Sequence, residues 1–245
     1  MKIVHVTSEF APWVRVGHLS DAVGGLCAEL ARLGHEVSVF LPGYRQVLAD
    51  PRAAAAESVC KHTLELGDAT VTAETLRLPI AKNLTLYFVR RDESFDRSFP
   101  YGPPGGEYED SDSRFLIFCK AVADALCRLD LSVDVLHCHD WPTALLPLLL
   151  RVEERKRGVN AVARTVFTVH QPAFQGIYPE RTFKLTNLPE EFCRRHNDAN
   201  IICFGQKYIT PYMVQKLALI FLHTAFEGGR HQRRVDKMTA EEHKN

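Results

Sequence analysis

The chain has 245 residues, of which 46% are hydrophobic, and this suits one large α/β domain or two small ones with a substantial core. Lysine plus arginine and aspartate plus glutamate both number 30, so the formal net charge is zero, which argues against a basic nucleic-acid-binding protein. No Cys-x-x-Cys pair occurs among the seven cysteines, so we expect reduced core cysteines in a cytoplasmic protein. The N-terminus does not resemble a signal peptide, and the longest apolar runs, 144–150 and 217–222, are too short to span a membrane.

The first 45 residues predict a β-α-β unit. Residues 3–6 form a β-rich run, and from His18 the apolar residues recur at helical spacing up to Gly34, which suits a helix C-cap. Residues 37–41 are a second apolar run, closed by Pro42 and Gly43. A strand, a helix and a strand joined by short links predict a parallel sheet with helices on its faces.

The middle of the chain predicts an addition to this sheet. Residues 49–57 suggest a short helix or surface connection, and 60–65, 69–78 and 84–89 suggest three strands with no helix between them, hence an antiparallel extension. Residues 94–112 form a long loop rich in aromatics, proline and glycine, and such loops are often functional. Its aromatic side chains could line a sugar or nucleotide cleft, or they could pin the loop to the core.

The rest of the α/β pattern consists of a helix at 114–129, a strand at 134–136, a helix from 144 to 157 and a strand at 165–169. Two of these strands end in polar residues, His139 with Asp140 and His170 with Gln171. In a parallel sheet both pairs lie at the edge where ligands bind, together with the loop that precedes the first helix.

That loop carries Arg15 and Gly17 and ends at a helix N-terminus, a combination that suits a phosphate. An ordinary loop into an ordinary helix explains the same residues, and no G-x-G-x-x-G dinucleotide motif is present. A metal site at His137, His139 and Asp140 is not favoured, because no metal-binding motif supports it. His137 is better explained as a packed histidine near the sheet.

Several motifs in the right order resemble the N-terminal half of bacterial glycogen synthases and plant starch synthases, over roughly residues 1–179. The family opens with S-x-E-x-x-P and K-x-G-G-L-x-D-V-V-G, matched here at Ser8, Glu9, Pro12, Arg15, Gly17, Leu19, Asp21, Val23 and Gly24. The Y-G and D-N-x-x-R-F motifs match at Tyr101, Gly102, Asp110, Arg114 and Phe115. H-D-W-H and T-V-H-N-x-x-Y-Q-G match at His139, Asp140, Trp141, Thr168, Val169, His170, Phe174, Gln175 and Gly176.

The resemblance implies a Rossmann-like, doubly wound α/β fold with a mostly parallel sheet, the N-terminal half of a two-Rossmann-domain (B-type) glycosyltransferase whose second domain is absent. It implies transfer of glucose from ADP-glucose to the 4-hydroxyl of an α-1,4-glucan end with retention, and no metal or other cofactor. Asp140 and His170 would be catalytic and stabilise positive charge at the anomeric carbon. Tyr101 would lie beside the sugar, and Arg15 and the Gly17 backbone would face the diphosphate. The remaining predicted substrate-binding residues are Glu9, His18, His139, Gln171 and Gln175.

Departures from the family pattern predict an altered or weakened site. Arg15 replaces the family lysine, and His18 replaces a glycine whose small size would let phosphate approach the backbone. Pro142, Gln171 and Ser111 replace a histidine and two asparagines.

We expect a catalytic N-terminal domain at 1–210 and a C-terminal helix with a charged tail at 211–245. Two main functions are open. The chain is a glucosyltransferase domain that is incomplete on its own and needs a second subunit or a homo-oligomer, or it is a non-catalytic glucan-binding, sugar-binding or regulatory module. An unrelated nucleotide-sugar binder of similar topology is a third alternative.

Overall fold

The computed structural model describes residues 1–171, 173–174, 176 and 178–188. Residues Met1–Asn187 form one compact unit. Its strands are β1 Lys2–Val6, β2 Glu36–Pro42, β3 Glu57–Leu66, β4 Ala69–Ala81, β5 Leu84–Arg90, β6 Val133–His139 and β7 Val162–Thr168. Its helices are α1 His18–Arg32, α2 Arg45–Leu48, α3 Asp92–Phe95, α4 Ser111–Arg128, α5 Leu146–Arg157 and α6 Glu180–Leu185, with 3₁₀ turns at Pro51–Ala55 and Trp141–Thr143.

The seven strands form one sheet in the order β3-β4-β5-β2-β1-β6-β7. The pairs β5-β2, β2-β1, β1-β6 and β6-β7 are parallel, whereas β3-β4 and β4-β5 are antiparallel. This arrangement confirms both the mostly parallel α/β sheet and its antiparallel extension. Strand order reverses between β1 and β6, so the loops that follow these two strands flank a crevice where ligands of such folds bind.

Local sequence explains the unit that contains β1, α1 and β2. Val23 and Cys27 are fully buried on one face of α1, and the strands β1 and β2 are buried along most of their length. After the helix, Gly34 adopts a φ of 90°, a left-handed conformation that glycine reaches without steric cost. The predicted C-cap glycine is therefore confirmed.

Two element boundaries differ from prediction in ways that affect the site. Strand β6 is longer than the predicted 134–136 and includes His139, because it pairs with β7 as far as Thr168. Helix α4 begins at Ser111, so the long loop that precedes it is shorter than its composition suggested. The polar residues of β6 therefore lie within the ladder, and Asp140 is the first residue beyond it.

The expectations for the cysteines and for membrane-spanning segments can be compared with the described residues. The five described cysteines are unpaired, and all but the half-buried Cys127 are buried. Within the described part of the chain, no helix combines the length and apolar character needed to cross a bilayer. The predicted boundary at residue 210 and the helix and tail at 211–245 lie outside the described residues and stay predictions.

Candidate functional site

A cleft of about 480 Å³ opens at the crevice between the loops after β1 and β6. The loop after β1, the 101–107 loop, the start of the chain after β6 and the segment after β7 all contribute to its wall. Its lining consists of Ser8, Glu9, Val16, Gly17, Leu19, Tyr101, Pro103, Gly105, Gly106, Glu107, Asp140, Trp141, Pro142, Gln171 and Phe174. Segments far apart in sequence thus meet at one edge of the sheet.

Glu9 braces one wall of the cleft. Its Oε2 accepts hydrogen bonds from the backbone N–H groups of Val16 (3.0 Å) and Gly17 (2.7 Å), and its Oε1 accepts one from the Tyr101 hydroxyl (2.8 Å). The Tyr101 hydroxyl also lies 2.7 Å from Ser8 Oγ. A buried carboxylate therefore already holds the Gly17 N–H that the sequence assigned to a diphosphate. A bound anion would have to compete with Glu9 for this donor.

Asp140 has an unusual backbone conformation on the opposite wall. Its φ of 58° and ψ of 176° lie in a region that is essentially restricted to glycine. Any other residue in this conformation carries a strain of about 1–3 kcal/mol. Several hydrogen bonds hold it there: its N–H donates to Thr168 O (2.9 Å), and its Oδ1 accepts from the N–H groups of His170 (2.6 Å) and Gln171 (3.2 Å). Thr143 Oγ1 donates to its carbonyl. The surrounding structure thus fixes a 6% exposed carboxylate at the cleft.

The aromatic loop contributes one side chain to the core and another to the cleft wall. Phe95 is fully buried and pins the loop, whereas Tyr101 lines the cleft. Arg114, only 1% exposed, donates through Nε to Ser94 O (2.8 Å) and through Nη2 to Pro100 O (3.0 Å). The family-like arginine therefore shapes the loop that carries Tyr101 rather than lining the cleft itself.

Trp141 packs against the segment after β7. A Cβ at Gly176 would lie 2.7 Å from Trp141 Cε3, and Gly176 has a φ of 60°. The indole also meets the ring of Phe115 edge-on, with a centroid distance of 5.0 Å. A glycine at position 176 thus allows backbone to approach the indole closely.

A row of histidines lies beneath the edge of the sheet. His5 on β1 pairs in register with His137 on β6, and the rings of His137 and His139 are in contact, with a centroid distance of 4.0 Å and a tilt of 32°. His139 Nε2 lies 3.0 Å from His5 Nδ1, and its Nδ1 lies 3.0 Å from His170 Nε2. His137 Nε2 lies 2.7 Å from Thr168 Oγ1.

Burial governs the charge of these histidines. Desolvation, and then the neighbouring His137, lowers the pKa of His5 to about 3. Desolvation, and then His170, lowers the pKa of His137 to about 4. The pKa of His139 lies well below its usual value, chiefly because of burial and then the nearby histidines. Burial also lowers the pKa of His170, although Asp140 partly opposes this effect. All four imidazoles are therefore neutral near pH 7.

The nitrogen atoms of His5, His137 and His139 are close enough to be considered as metal ligands. Their hydrogen bonds favour a different arrangement, because both nitrogens of His139 and one of His137 already have partners. A second group, Cys60, His62 and Asp124, is likewise bonded internally, with His62 Nδ1 2.6 Å from Asp124 Oδ2. The absence of a metal requirement stays a prediction from the resemblance.

The structure brings five predicted site residues to the cleft wall, namely Glu9, Gly17, Tyr101, Asp140 and Gln171. Four others lie outside the lining, namely Arg15, His18, His139 and His170. The Arg15 side chain is 64% exposed and forms a 3.2 Å ion pair with Asp21. Gln175 falls outside the described residues.

Sequence reasoning missed His5, which sits in an apolar strand with no motif around it. Its relation to His137 follows only from the register of β1 on β6. Alternation along β6 did predict that His137 and His139 share one face of the strand, and their ring contact confirms this.

Comparison with known proteins identifies the family of this chain. Residues 2–208 match the family model described as the starch synthase catalytic domain. The chain belongs to this family. The match extends beyond residue 179, where the resemblance was expected to fade. A second family model, described as ribose/galactose isomerase, matches residues 189–238, which lie outside the described part of the chain.

Two curated bacterial proteins illustrate the relationship of this starch synthase family member to longer chains. Glycogen synthase from Opitutus terrae is 48% identical over 191 residues, which cover 78% of this chain and 40% of that protein. Glycogen synthase 2 from Geobacter sulfurreducens is 38% identical over 193 residues, covering 77% and 39%. The chain thus spans about 40% of the length of these relatives.

A solved structure supports the same assignment. The catalytic domain of starch synthase IV from Arabidopsis thaliana, bound to ADP and acarbose, superposes with a TM-score of 0.68 and 26% sequence identity. The superposition covers 79% of this chain and 38% of that one. The family assignment and the α/β architecture therefore agree.

Proposed function

We propose that this chain is a glucosyltransferase domain of the glycogen synthase type, which transfers glucose from ADP-glucose to the 4-hydroxyl of an α-1,4-glucan end with retention. The observation that carries the proposal is the single cleft lined by Glu9, Gly17, Tyr101 and Asp140, which come from four separate family motifs. The named relatives are glycogen synthases, and the starch synthase IV structure contained ADP and acarbose.

Asp140 is the proposed electrostatic centre. A carboxylate beside the anomeric carbon stabilises the positive charge that develops there as the diphosphate leaves. Hydrogen bonds from the backbone N–H groups of His170 and Gln171 keep this carboxylate in place, so little reorganisation accompanies the reaction. The same bonds position the segment after β7 against the cleft.

We assign the diphosphate to the neighbourhood of Arg15 and Gly17. The exposed ion pair between Arg15 and Asp21 is of a kind that contributes little stability, so Arg15 can exchange its partner for a phosphate at small cost. The carboxylate of Glu9 lies against the Gly17 N–H and therefore limits how deeply an anion can approach. This arrangement favours diphosphate contact through Arg15 over contact through the Gly17 backbone.

The resemblance implies that further donor contacts come from a second Rossmann-like domain. We therefore propose that transfer requires such groups, supplied by a longer chain, a second subunit or another copy. Native mass measurement of the purified chain, with a search for a co-purifying subunit, tests this part of the proposal.

Incubation of the purified chain with ADP-[14C]glucose and glycogen tests the activity directly. Radiolabel in the polymer is the expected result when a co-purifying subunit or another copy supplies the missing donor contacts, and Asp140→Asn should then reduce transfer by about 100-fold or more. The matched control is Asp92→Asn, because Asp92 forms an exposed ion pair with Arg90 away from the cleft.

Two other results have distinct meanings. Retention of the chain on a glycogen column without transfer would favour the non-catalytic, glucan-binding alternative. If neither ADP-glucose nor a malto-oligosaccharide raised the melting temperature, the proposal of a sugar-nucleotide cleft would be contradicted.

A further inference from the structure

Three histidines form a hydrogen-bonded row from the core to the segment after β7. His5 Nδ1 lies 3.0 Å from His139 Nε2, and His139 Nδ1 lies 3.0 Å from His170 Nε2. His5 and His139 are almost completely buried, at 0% and 1% exposure. A neutral imidazole carries one N–H and one bare nitrogen, so each contact requires a donor on one ring and an acceptor on the other.

With one proton on each ring, the three histidines His5, His139 and His170 can be hydrogen-bonded in only two arrangements. In the outward arrangement, His5 donates to His139 and His139 donates to His170. In the inward arrangement, His170 donates to His139 and His139 donates to His5. Because His139 uses both nitrogens, its single proton links the tautomers of the other two rings.

The inner end of the row distinguishes these arrangements. His5 Nε2 is buried and has no hydrogen-bond partner among the described residues. In the inward arrangement this atom carries a proton and becomes a buried donor without an acceptor, which is rare and costly. In the outward arrangement it is a bare nitrogen, and an unused acceptor is tolerated better.

We propose that the row is polarised outward, so that His5 and His139 act as positioning residues that hold His170 in the tautomer protonated at Nδ1. His170 Nε2 is then occupied as an acceptor, and Nδ1–H is the only donor left on its ring. The tautomer with its proton on Nε2 is disfavoured by about tenfold or more, in line with the usual cost of a buried unsatisfied donor.

The consequence for recognition rests on the proposed function. A ligand beside His170 Nδ1 meets a neutral donor, which suits the lone pair of a sugar hydroxyl oxygen. The same ring cannot accept a proton from that hydroxyl, because its acceptor nitrogen faces His139. Positive charge at the anomeric carbon would then be stabilised by the Asp140 carboxylate, with His170 confined to orienting the sugar.

Nitrogen-15 NMR of the labelled 245-residue chain at pH 7 tests the proposal. Long-range nitrogen–proton correlation spectra distinguish protonated from bare ring nitrogens at each histidine. The expected spectrum shows His170 with a protonated Nδ1 and a bare Nε2, and the same pattern at His5 and His139. A His170 signal with a protonated Nε2 would overturn the proposal.

Two variants at one position separate positioning from packing. His139→Asn places an amide N–H near the former Nδ1 and should keep His170 protonated at Nδ1. His139→Leu removes the donor and should shift His170 at least about fivefold towards the Nε2–H tautomer. Equal His170 tautomer ratios in the two variants would contradict the positioning role of His139. If either variant fails to fold, the wild-type spectrum still decides the direction of the row.

The tautomer measurement needs no sugar or nucleotide. Its outcome is therefore independent of the transfer assay, and failure of one proposal can be told from failure of the other. An outward row in a chain that binds no ligand would leave the positioning proposal intact and contradict only the function.

Discussion

Acidification from pH 7 to pH 5 should strongly destabilise the protein through its buried histidines. The folded-state pKa values of His5 and His137 are about 3 and about 4, whereas an unfolded histidine titrates near 6.5. Between these values the unfolded chain binds more protons than the folded one. The stability is therefore fully present above about pH 6.5 and is lost progressively as the pH falls towards the folded pKa values.

The size of this loss follows from linkage. Each depressed histidine contributes about 1.4 kcal/mol per pH unit within its window, or about 1.9 kcal/mol between pH 7 and pH 5. His137 is only half-buried, so its share must be discounted for solvent screening. We expect His5 and His137 together to lower the free energy of unfolding by about 2–4 kcal/mol.

Urea unfolding followed by far-UV circular dichroism, at half-unit steps of pH, measures this loss. Repeating the series in about 0.5 M NaCl is the control, because salt screens surface charges and leaves buried groups largely unaffected. His5→Phe should make the loss smaller by about 1–2 kcal/mol. A free energy of unfolding that stays constant within about 0.5 kcal/mol from pH 7 to pH 5 would refute the reasoning.

Three substitutions probe the supports of the cleft. Glu9→Ala leaves three hydrogen-bond donors without their carboxylate and should lower the free energy of unfolding, measured by thermal unfolding, by about 2–4 kcal/mol. The exposed control Glu29→Ala should lower it by less than about 0.5 kcal/mol. Similar losses in the two variants would argue against a supporting role of Glu9 in the cleft wall. Gly176→Ala should cost about 1–3 kcal/mol and change the fluorescence of Trp141, and an unchanged spectrum and stability would contradict the close contact. Arg114→Lys keeps the charge but loses the planar guanidinium fork whose Nε and Nη2 reach two separate loop carbonyls. Limited proteolysis should therefore cut the 96–110 loop faster than in wild type, and equal rates would speak against this role of Arg114.

Much of the fold could be predicted because its signals are local. Helical spacing located α1, Gly34 marked its end, and strands without intervening helices indicated the antiparallel extension. The length of β6 was underestimated because histidines interrupt its apolar run. These residues are tolerated there since the sheet buries them as neutral imidazoles.

The site was only partly predictable, since its decisive contacts join distant segments. The family resemblance implied that Glu9 and Tyr101 lie near a ligand, but their hydrogen bond spans 92 residues and no local pattern reports it. Likewise, nothing in an apolar strand distinguishes His5 from a packed residue until the register on β6 is known. The sequence thus indicates which residues lie near the cleft, while pairing between strands determines what each one does.

The backbone at Asp140 also bears on how this protein could change under selection. A φ of 58° with a ψ of 176° suits glycine far better than any residue with a β-carbon. Selection of a library for thermal stability alone should favour glycine at this position, because glycine relieves the backbone strain. The two hydrogen bonds that the carboxylate accepts from backbone N–H groups oppose this preference. If Asp140 persists under selection for catalytic activity but is lost under selection for thermal stability alone, position 140 is one where this fold gives up stability in return for activity.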